Sequence, residues 1–237
     1  MISLSHSGVD QGDPPPGIPR VVEAAAAILG IVVFSPVLAL VAIGVRLTSP
    51  GPVIFRQPRV GRYGVEFTLM KFRTMRVHDA PHGVTASGDP RVTGLGRWLR
   101  RLKVDELPEL WNIARGDMSF VGPRPEVPRY VDLTDPAWRE VLRARPGITD
   151  PVTIRLIDEE SVLASVSEER ERFYLDVLQP YKLVGCAEYL RRRTCVSDLG
   201  VIFRTALAVI LQVSPPPPSV GEIRAVAAAA RHSAGPA

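Results

Sequence analysis

The chain has 237 residues, with 29 Lys plus Arg against 25 Asp plus Glu and a formal net charge of +4. Hydrophobic residues make up 46%, which excludes an intrinsically disordered chain despite 23 prolines and 19 glycines. Cys186 and Cys195 form no CxxC and no Cys/His cluster, so neither a disulfide framework nor a structural zinc site is supported, and a reducing compartment fits.

Residues 1–19 carry PPPGIP and few apolar side chains and are expected to be a disordered tail. A membrane segment follows at 20–46. Its apolar run from Val21 to Val45 is interrupted by one charge, Glu23, and flanked by Arg20 and Arg46. Spanning a bilayer takes about 20 apolar residues. The run lacks the layout of a cleaved signal peptide. Ser35-Pro36 sits at its middle, where proline removes a backbone donor and clashes with the preceding turn. The carbonyl so freed needs a partner, which Ser35 can supply. Three arrangements remain open: a kinked spanning helix, a helix that enters, bends and leaves on one side, and a core helix of a soluble protein.

Beyond the run, Pro-Gly punctuation and alternation around Val53–Arg56 and Glu66–Lys71 predict short extended segments. Three- and four-residue apolar spacing predicts helices at Gly96–Arg101, Leu107–Ile113, Trp138–Arg145, Glu168–Leu178 and Lys182–Arg193. A last helix, Asp198–Val213, has Asp198 in an N-cap position and is apolar almost all round. With Arg191, Arg192 and Arg193 before it, this helix is expected to dock on an anionic membrane surface. Residues 214–237 begin with a proline run and end Ala-rich, which predicts a second tail.

The block that carries chemistry is Gly94–Glu126. Asp105 and Glu106 are adjacent before a helical pattern, and side-by-side positions point at different partners: one could reach an electrophile while the other binds a metal or a proton. Around them stand Arg97, Arg100, Arg101, Lys103, Arg115, Asp117, Arg124 and Glu126. The loop Gly116–Pro125 is too rich in Gly and Pro for regular structure and too apolar for a free linker; presented rigidly, Arg124 suits a phosphate oxygen. The chain has no P-loop, GxGxxG, HExxH or GxSxG, and the histidines, His6, His78, His82 and His232, lie in expected loops or tails. Carboxylate chemistry with a metal is the simplest remaining option. Only three of the 29 basic residues are lysines, Lys71, Lys103 and Lys182.

Taken in order, Ser35-Pro36, KFRTM (Lys71–Met75), DELPELWN (Asp105–Asn112), GDMSFVGPRPE (Gly116–Glu126) and RPGIT (Arg145–Thr149) resemble the bacterial sugar transferases. More narrowly, they resemble the small single-domain polyprenyl-phosphate phosphoglycosyl transferases, over about residues 20–213. The resemblance implies a mainly α fold with short β segments: a re-entrant helix kinked at Ser35-Pro36 and interfacial amphipathic helices around a small catalytic domain, 47–213. It implies a bacterial inner-membrane enzyme, facing the cytoplasm, that moves a sugar-1-phosphate from a UDP-sugar to undecaprenyl phosphate and releases UMP. Asp105 is then the nucleophile, forming an aspartyl phosphosugar. Glu106 is the metal-associated carboxylate or proton handler, with magnesium held at Asp105 and Glu106. Lys71, Arg100 and Arg124 match family positions that bind phosphate or nucleotide. Membrane lipid is an expected partner and nucleic acid is not, while a homo-oligomer is compatible. Many relatives read PGITGWAQ where this chain reads PGITDPVTIR (Pro146–Arg155), so the sugar is not implied. The rival readings are a glycosyl transferase that releases UDP and a catalytically silent membrane scaffold.

Overall fold

A computed structural model describes residues 13–76, 89–156, 159–166, 169–212 and 216–233. His6, His78 and His82 lie outside them, as does the side chain of His232. The expected mainly helical chain with short strands is what the described residues form.

Helix α1 runs from Arg20 to Thr48, about 43 Å at about 1.5 Å per residue. Only 11% of its most apolar 18-residue window is buried, so it is not the core helix of a soluble domain, whose apolar surface would be covered. Pro36 is an interior residue of α1, and the helix continues on both sides of it. The carbonyl that Pro36 leaves without a donor is that of Val32, four residues earlier. Ser35 Oγ donates to Val32 O at 2.7 Å, the compensation its position predicts.

Both ends of α1 bear on the rest of the chain. Near its start, Arg20 donates to the carbonyls of Ile113 and Ala114, and buried Glu23 accepts from Phe120 N at 3.1 Å. Near its end, Val41 and Val45 pack with Phe72 and Leu99, and Arg73 donates to Ser49 O at 2.7 Å.

Strands β1 (Ile54–Val60) and β2 (Glu66–Phe72) pair antiparallel, with Phe55 opposite Lys71. Helix α2 (Gly94–Arg101) is capped by the Thr93 side chain. A 3₁₀ turn, Val104–Glu106, leads into α3 (Glu109–Arg115), which ends on Gly116 at φ 101°. Strands β3 (Ser119–Val121) and β4 (Gly147–Thr149) are parallel. Between them lies α4 (Pro136–Val141), and after them α5 (Pro151–Arg155) and α6 (Glu159–Ala164). Helix α7 (Arg170–Phe173) passes through a π turn, Tyr174–Leu178, into α8 (Gln179–Arg191). Helices α9 (Cys195–Leu211) and α10 (Val220–Ser233) complete the described chain.

Three expectations are corrected. Residues 13–19 are docked rather than disordered: Asp13 pairs with Arg62 at 3.0 Å, and Ile18 N donates to Asp198 at 3.1 Å. Within the expected C-terminal tail, α10 buries Ile223 and Ala227 completely in the core around Phe173 and Leu178. Alanine is the best helix former, and Val220, Ile223 and Ala227 share one face, so the Ala-rich segment folds once Ser219 caps it by accepting from Glu222 N. The cap of α9 is Thr194, in a reciprocal box with Ser197, and Asp198 lies one turn inside, fully buried. Of the arginines before α9, Arg193 pairs with the buried Asp198 and the exposed Arg191 with Glu140, at 2.8 Å each.

Candidate active site

Asn112 fixes where the acidic motif sits. Fully buried in α3, its side chain accepts from Met70 N at 3.1 Å and donates to Thr68 O at 2.8 Å, stitching α3 to the edge of β2. Lys71 is thereby set against the acidic motif. Its Nζ lies 2.9 Å from Glu106 Oε1 and 3.1 Å from Glu109 Oε1.

Arg124 arrives from the other side. Backbone bonds from Gly122 N to Thr149 O and from Gly147 N to Pro123 O, both 3.0 Å, lock its loop to β4. A Cβ on Gly122 would fall 2.3 Å from Arg145 O, so this approach requires glycine. Arg124 Nη2 then donates to the same Glu106 oxygen that Lys71 holds, while Nη1 donates to Ile148 O at 3.3 Å. The loop is anchored downstream by Glu126, which receives Tyr174 Oη and Val127 N and pairs with Arg59 at 3.4 Å. Gly122→Ala is expected to cost about 1–3 kcal/mol through overpacking and to lower turnover at least about tenfold by displacing Arg124. A melting temperature and a turnover number both within error of wild type would contradict this.

The adjacent carboxylates face different surroundings. Burial would raise the Glu106 carboxyl, but Arg124, Lys71 and Lys103 overcome it and hold the group well below its ordinary range. Asp105 goes the other way: burial first, then the Glu106 charge, pushes it up, against Lys71, Lys103 and Arg100. Burial also raises Glu109. Divergent environments of this kind are how paired carboxylates acquire different roles. Asp105 Oδ1 is buried without a hydrogen-bond partner, an orphan that costs free energy unless a ligand meets it.

Of the residues expected at the site, Lys71, Glu106 and Arg124 are in direct contact, Asp105 adjoins them, and Arg100 acts on Asp105 through its charge from the last turn of α2. Ser35 and Pro36 lie in α1, exposed and outside this cluster. Two members were not among the residues assigned to the site from the sequence. Glu109 stands four residues after Asp105, a helical spacing that returns to the same face. Lys103 adopts a left-handed conformation, φ 54°, at the turn before Asp105; its signal was the rarity of lysine in this chain.

Among the described residues, no group of three or more His, Cys, Asp or Glu side chains forms a closed metal cage. Magnesium is commonly held by one or two carboxylates completed by substrate phosphates. Asp105, with its unmatched oxygen, and Glu106 beside it fit that open type of site.

A largely apolar pocket of about 110 Å³ shares Glu106 and Arg124 with the charged cluster and is lined also by Lys103, Leu107, Leu110, Ile148, Ile154 and Val209.

The family model described as bacterial sugar transferase matches residues 17–212. The UDP-glucose:undecaprenyl-phosphate glucose-1-phosphate transferase of Caulobacter vibrioides is 39% identical over 196 residues, covering 81% of this chain and 69% of the relative. The exopolysaccharide production protein ExoY of Rhizobium meliloti is 34% identical, covering 81% and 85%. The UDP-N-acetylgalactosamine-undecaprenyl-phosphate N-acetylgalactosaminephosphotransferase of Aeromonas hydrophila is 42% identical over 137 residues, 56% of this chain and 32% of that protein. Of several longer relatives the chain spans only 32–43%. With the matched region running from the approach to α1 through the end of α9, and the acidic and GPRP motifs both inside it, the chain belongs to the bacterial sugar transferase family.

Proposed function

We propose that this protein transfers a sugar-1-phosphate from a UDP-sugar to undecaprenyl phosphate in two displacements at Asp105, releasing UMP, in the building of an exopolysaccharide or related surface glycan. The observation that carries the reading is the pairing of an unpartnered, buried Asp105 oxygen with an adjacent Glu106 committed to Lys71 and Arg124. The names of the relatives supply the substrate classes.

In the first displacement an Asp105 oxygen attacks the phosphorus that bears the sugar. The bond to the bridging oxygen breaks and UMP leaves with that electron pair. In the second, a phosphate oxygen of the lipid attacks the same phosphorus, the bond to Asp105 breaks and the carboxylate is restored. Splitting the transfer means that donor and lipid need never be held together. Lys71, Lys103, Arg100 and Arg124 supply the positive field that lets an anionic nucleophile approach an anionic diphosphate. Glu106 holds Lys71 and Arg124 in place. Magnesium, bound by Asp105, Glu106 and donor phosphates, would withdraw charge from the diphosphate.

The membrane arrangement that suits this chemistry is re-entrant, with both ends of α1 and the catalytic residues on the cytoplasmic side of the bacterial inner membrane. A bilayer core is about 30 Å thick, yet Arg20 at the start of α1 bonds to α3 and Ser49 just past its end to Arg73 beyond β2, so both ends bear on the catalytic domain, and its middle, from Ile28 to Leu40, presents exposed apolar side chains. The exposed stripe of α9, with Leu199, Phe203 and Ile210, lies at the membrane surface in this reading. Pro36→Ala restores the backbone donor to Val32 and is expected to favour a straight spanning helix. An N-terminal label should then move from the cytoplasmic to the opposite side. A label that stays cytoplasmic in wild type and variant alike would speak against the role of Pro36.

The direct test is intact mass and peptide mapping of the purified protein with magnesium and a panel of UDP-sugars, without lipid. A sugar-phosphate adduct on the Asp105 peptide, and UMP as the nucleotide product once lipid is added, are expected. Release of UDP would instead indicate a glycosyl transferase, and no nucleotide release with any donor would indicate a scaffold.

A further inference from the structure

We infer that the pocket between α3, β4, α5 and α9 receives the part of the polyprenyl chain nearest its phosphate, while the phosphate itself is met by Lys103 and Arg124. The inference rests on the proposed lipid acceptor and assigns it a place.

The wall of the pocket selects for hydrocarbon. Leu107, Leu110, Ile148, Ile154 and Val209 line it, together with three threonines. All three threonine hydroxyls already have protein partners. Thr149 and Thr205 share a hydrogen bond at 2.7 Å, Thr205 also donates to Val201 O, and Thr153 donates to Asp150 at 2.6 Å. A sugar or a uracil would enter this space at the cost of unmatched polar atoms, whereas a branched hydrocarbon loses nothing.

The charged side chains of the lining are Lys103, Glu106 and Arg124, of which Glu106 and Arg124 are in direct contact. Glu106 is occupied by Lys71 and Arg124, while Lys103 forms no ion pair among the described residues. A cation with unspent donors at the rim of an apolar space matches a ligand with a phosphate head and an apolar stem. Lys103 and Glu106 of this lining flank Asp105 in sequence, where the phosphate oxygen must arrive for the second displacement.

Size and location agree. A dry cavity of about 150 Å³ lined by aliphatic and aromatic groups takes up benzene, so about 110 Å³ holds one short branched segment and not a long chain. The remainder must leave toward lipid, and the pocket borders the elements that face it. Leu110 lines the pocket and also contacts Gly30 of α1, where a Cβ would come within 3.2 Å of its Cδ1. On α9, Thr205 and Val209 face the pocket, while Leu199, Phe203 and Ile210 on the opposite stripe are more than half exposed.

The test uses the full chain in lipid nanodiscs. Val209→Trp and Ile154→Phe fill the pocket from two different helices and are each expected to raise the KM for polyprenyl phosphate about tenfold or more, the range in which apolar pockets discriminate. The KM for the UDP-sugar should stay within about twofold. A second measurement does not depend on either variant folding: a polyprenyl phosphate with a diazirine on its first isoprene unit should label peptides from 148–154 and 205–209 of the wild-type protein. Excess unlabelled polyprenyl phosphate should abolish that labelling, and excess phosphatidylglycerol should not. An unchanged acceptor KM in folded variants, a raised donor KM instead, labelling confined to α1, or equal competition by phosphatidylglycerol would each overturn the assignment. A wild-type protein that makes adduct and lipid product but labels elsewhere removes the pocket assignment alone; one that releases no nucleotide with any donor removes the proposed function beneath it.

Discussion

Asp105→Asn is expected to lower turnover by at least about 1,000-fold, in line with removal of a covalent nucleophile, while the protein folds and stays with the membrane. The sign of its effect on stability is the sharper part of the prediction. Burial raises the carboxyl of Asp105 in the folded chain, so the ionised side chain weighs against folding as pH rises from the ordinary aspartate value through the higher folded one, and the penalty is constant above it. Asparagine removes that charge, and Asp105 Oδ1 has no hydrogen bond to lose. The Asn variant should therefore melt no lower than wild type at pH 8. Glu106→Gln should behave oppositely. The Glu106 carboxyl is depressed by Arg124, Lys71 and Lys103 against its burial. Its contribution is thus present above the ordinary carboxylate value of 4.5 and is lost as pH falls through the lower folded value. Removing the charge leaves Lys71 and Arg124 without their shared partner. Because Arg124 keeps 34% of its side chain exposed, the expected cost is about 2 kcal/mol rather than the full value for a wholly buried pair. Thermal melts of the two variants at pH 8, beside adduct formation by intact mass, separate the roles. An Asn variant that still forms a sugar-phosphate adduct on the same peptide would end the nucleophile assignment.

The motifs converge because the structural demands of this site are local and chemically unusual. The glycines of the GPRP and RPGIT segments are needed where two backbones approach, as at Gly122 against Arg145, and that constraint brings Arg124 to Glu106 from 18 residues away in sequence. The strands β3 and β4, three residues each, were not legible beforehand: their register exists only once those segments meet. Helix α5 follows Asp150, whose carboxylate accepts from Val152 N and Thr153 N at 2.7 and 2.9 Å. The departure at Asp150-Pro151 thus reads as a helix start, a cap with proline at the first position. Helix α10 follows a proline run and has a composition that also suits a tail, and only packing on Phe173 and Leu178 decides between the two. Asp198 was misread for a related reason. Thr194 is also a good cap, strengthened by the reciprocal bond with Ser197, and the carboxylate is drawn inward by Arg193, a partner that capping patterns alone do not reveal.

That buried carboxylate supports the largest expected loss of stability. Asp198 is fully buried and accepts from Arg193 through both oxygens, from Tyr189 Oη at 2.6 Å and from Ile18 N at 3.1 Å. Gly17 packs so closely there that a Cβ would sit 2.0 Å from Asp198 Oδ2. The approach to α1, the end of α8 and the first turn of α9 therefore meet on one carboxylate. Asp198→Ala would leave the Arg193 guanidinium buried without its counter-charge, which costs about 3–5 kcal/mol. For a chain of this length each kcal/mol lowers the melting temperature by about 2–4 °C, so a fall of roughly 6–20 °C is expected. Activity should fall as well, because Arg193 Nη2 also donates to Val121 O at 2.8 Å, just ahead of the loop that presents Arg124. Asp198→Asn, which keeps the size and one acceptor, should lose less of both. The decisive comparison is Asp198→Ala with Arg193→Met/Asp198→Leu, in which both buried charges are removed together. If the unpaired guanidinium is the cause, the double variant melts above the single one; if it melts lower still, the stability came from the particular hydrogen bonds to Tyr189 and Ile18 and not from charge pairing.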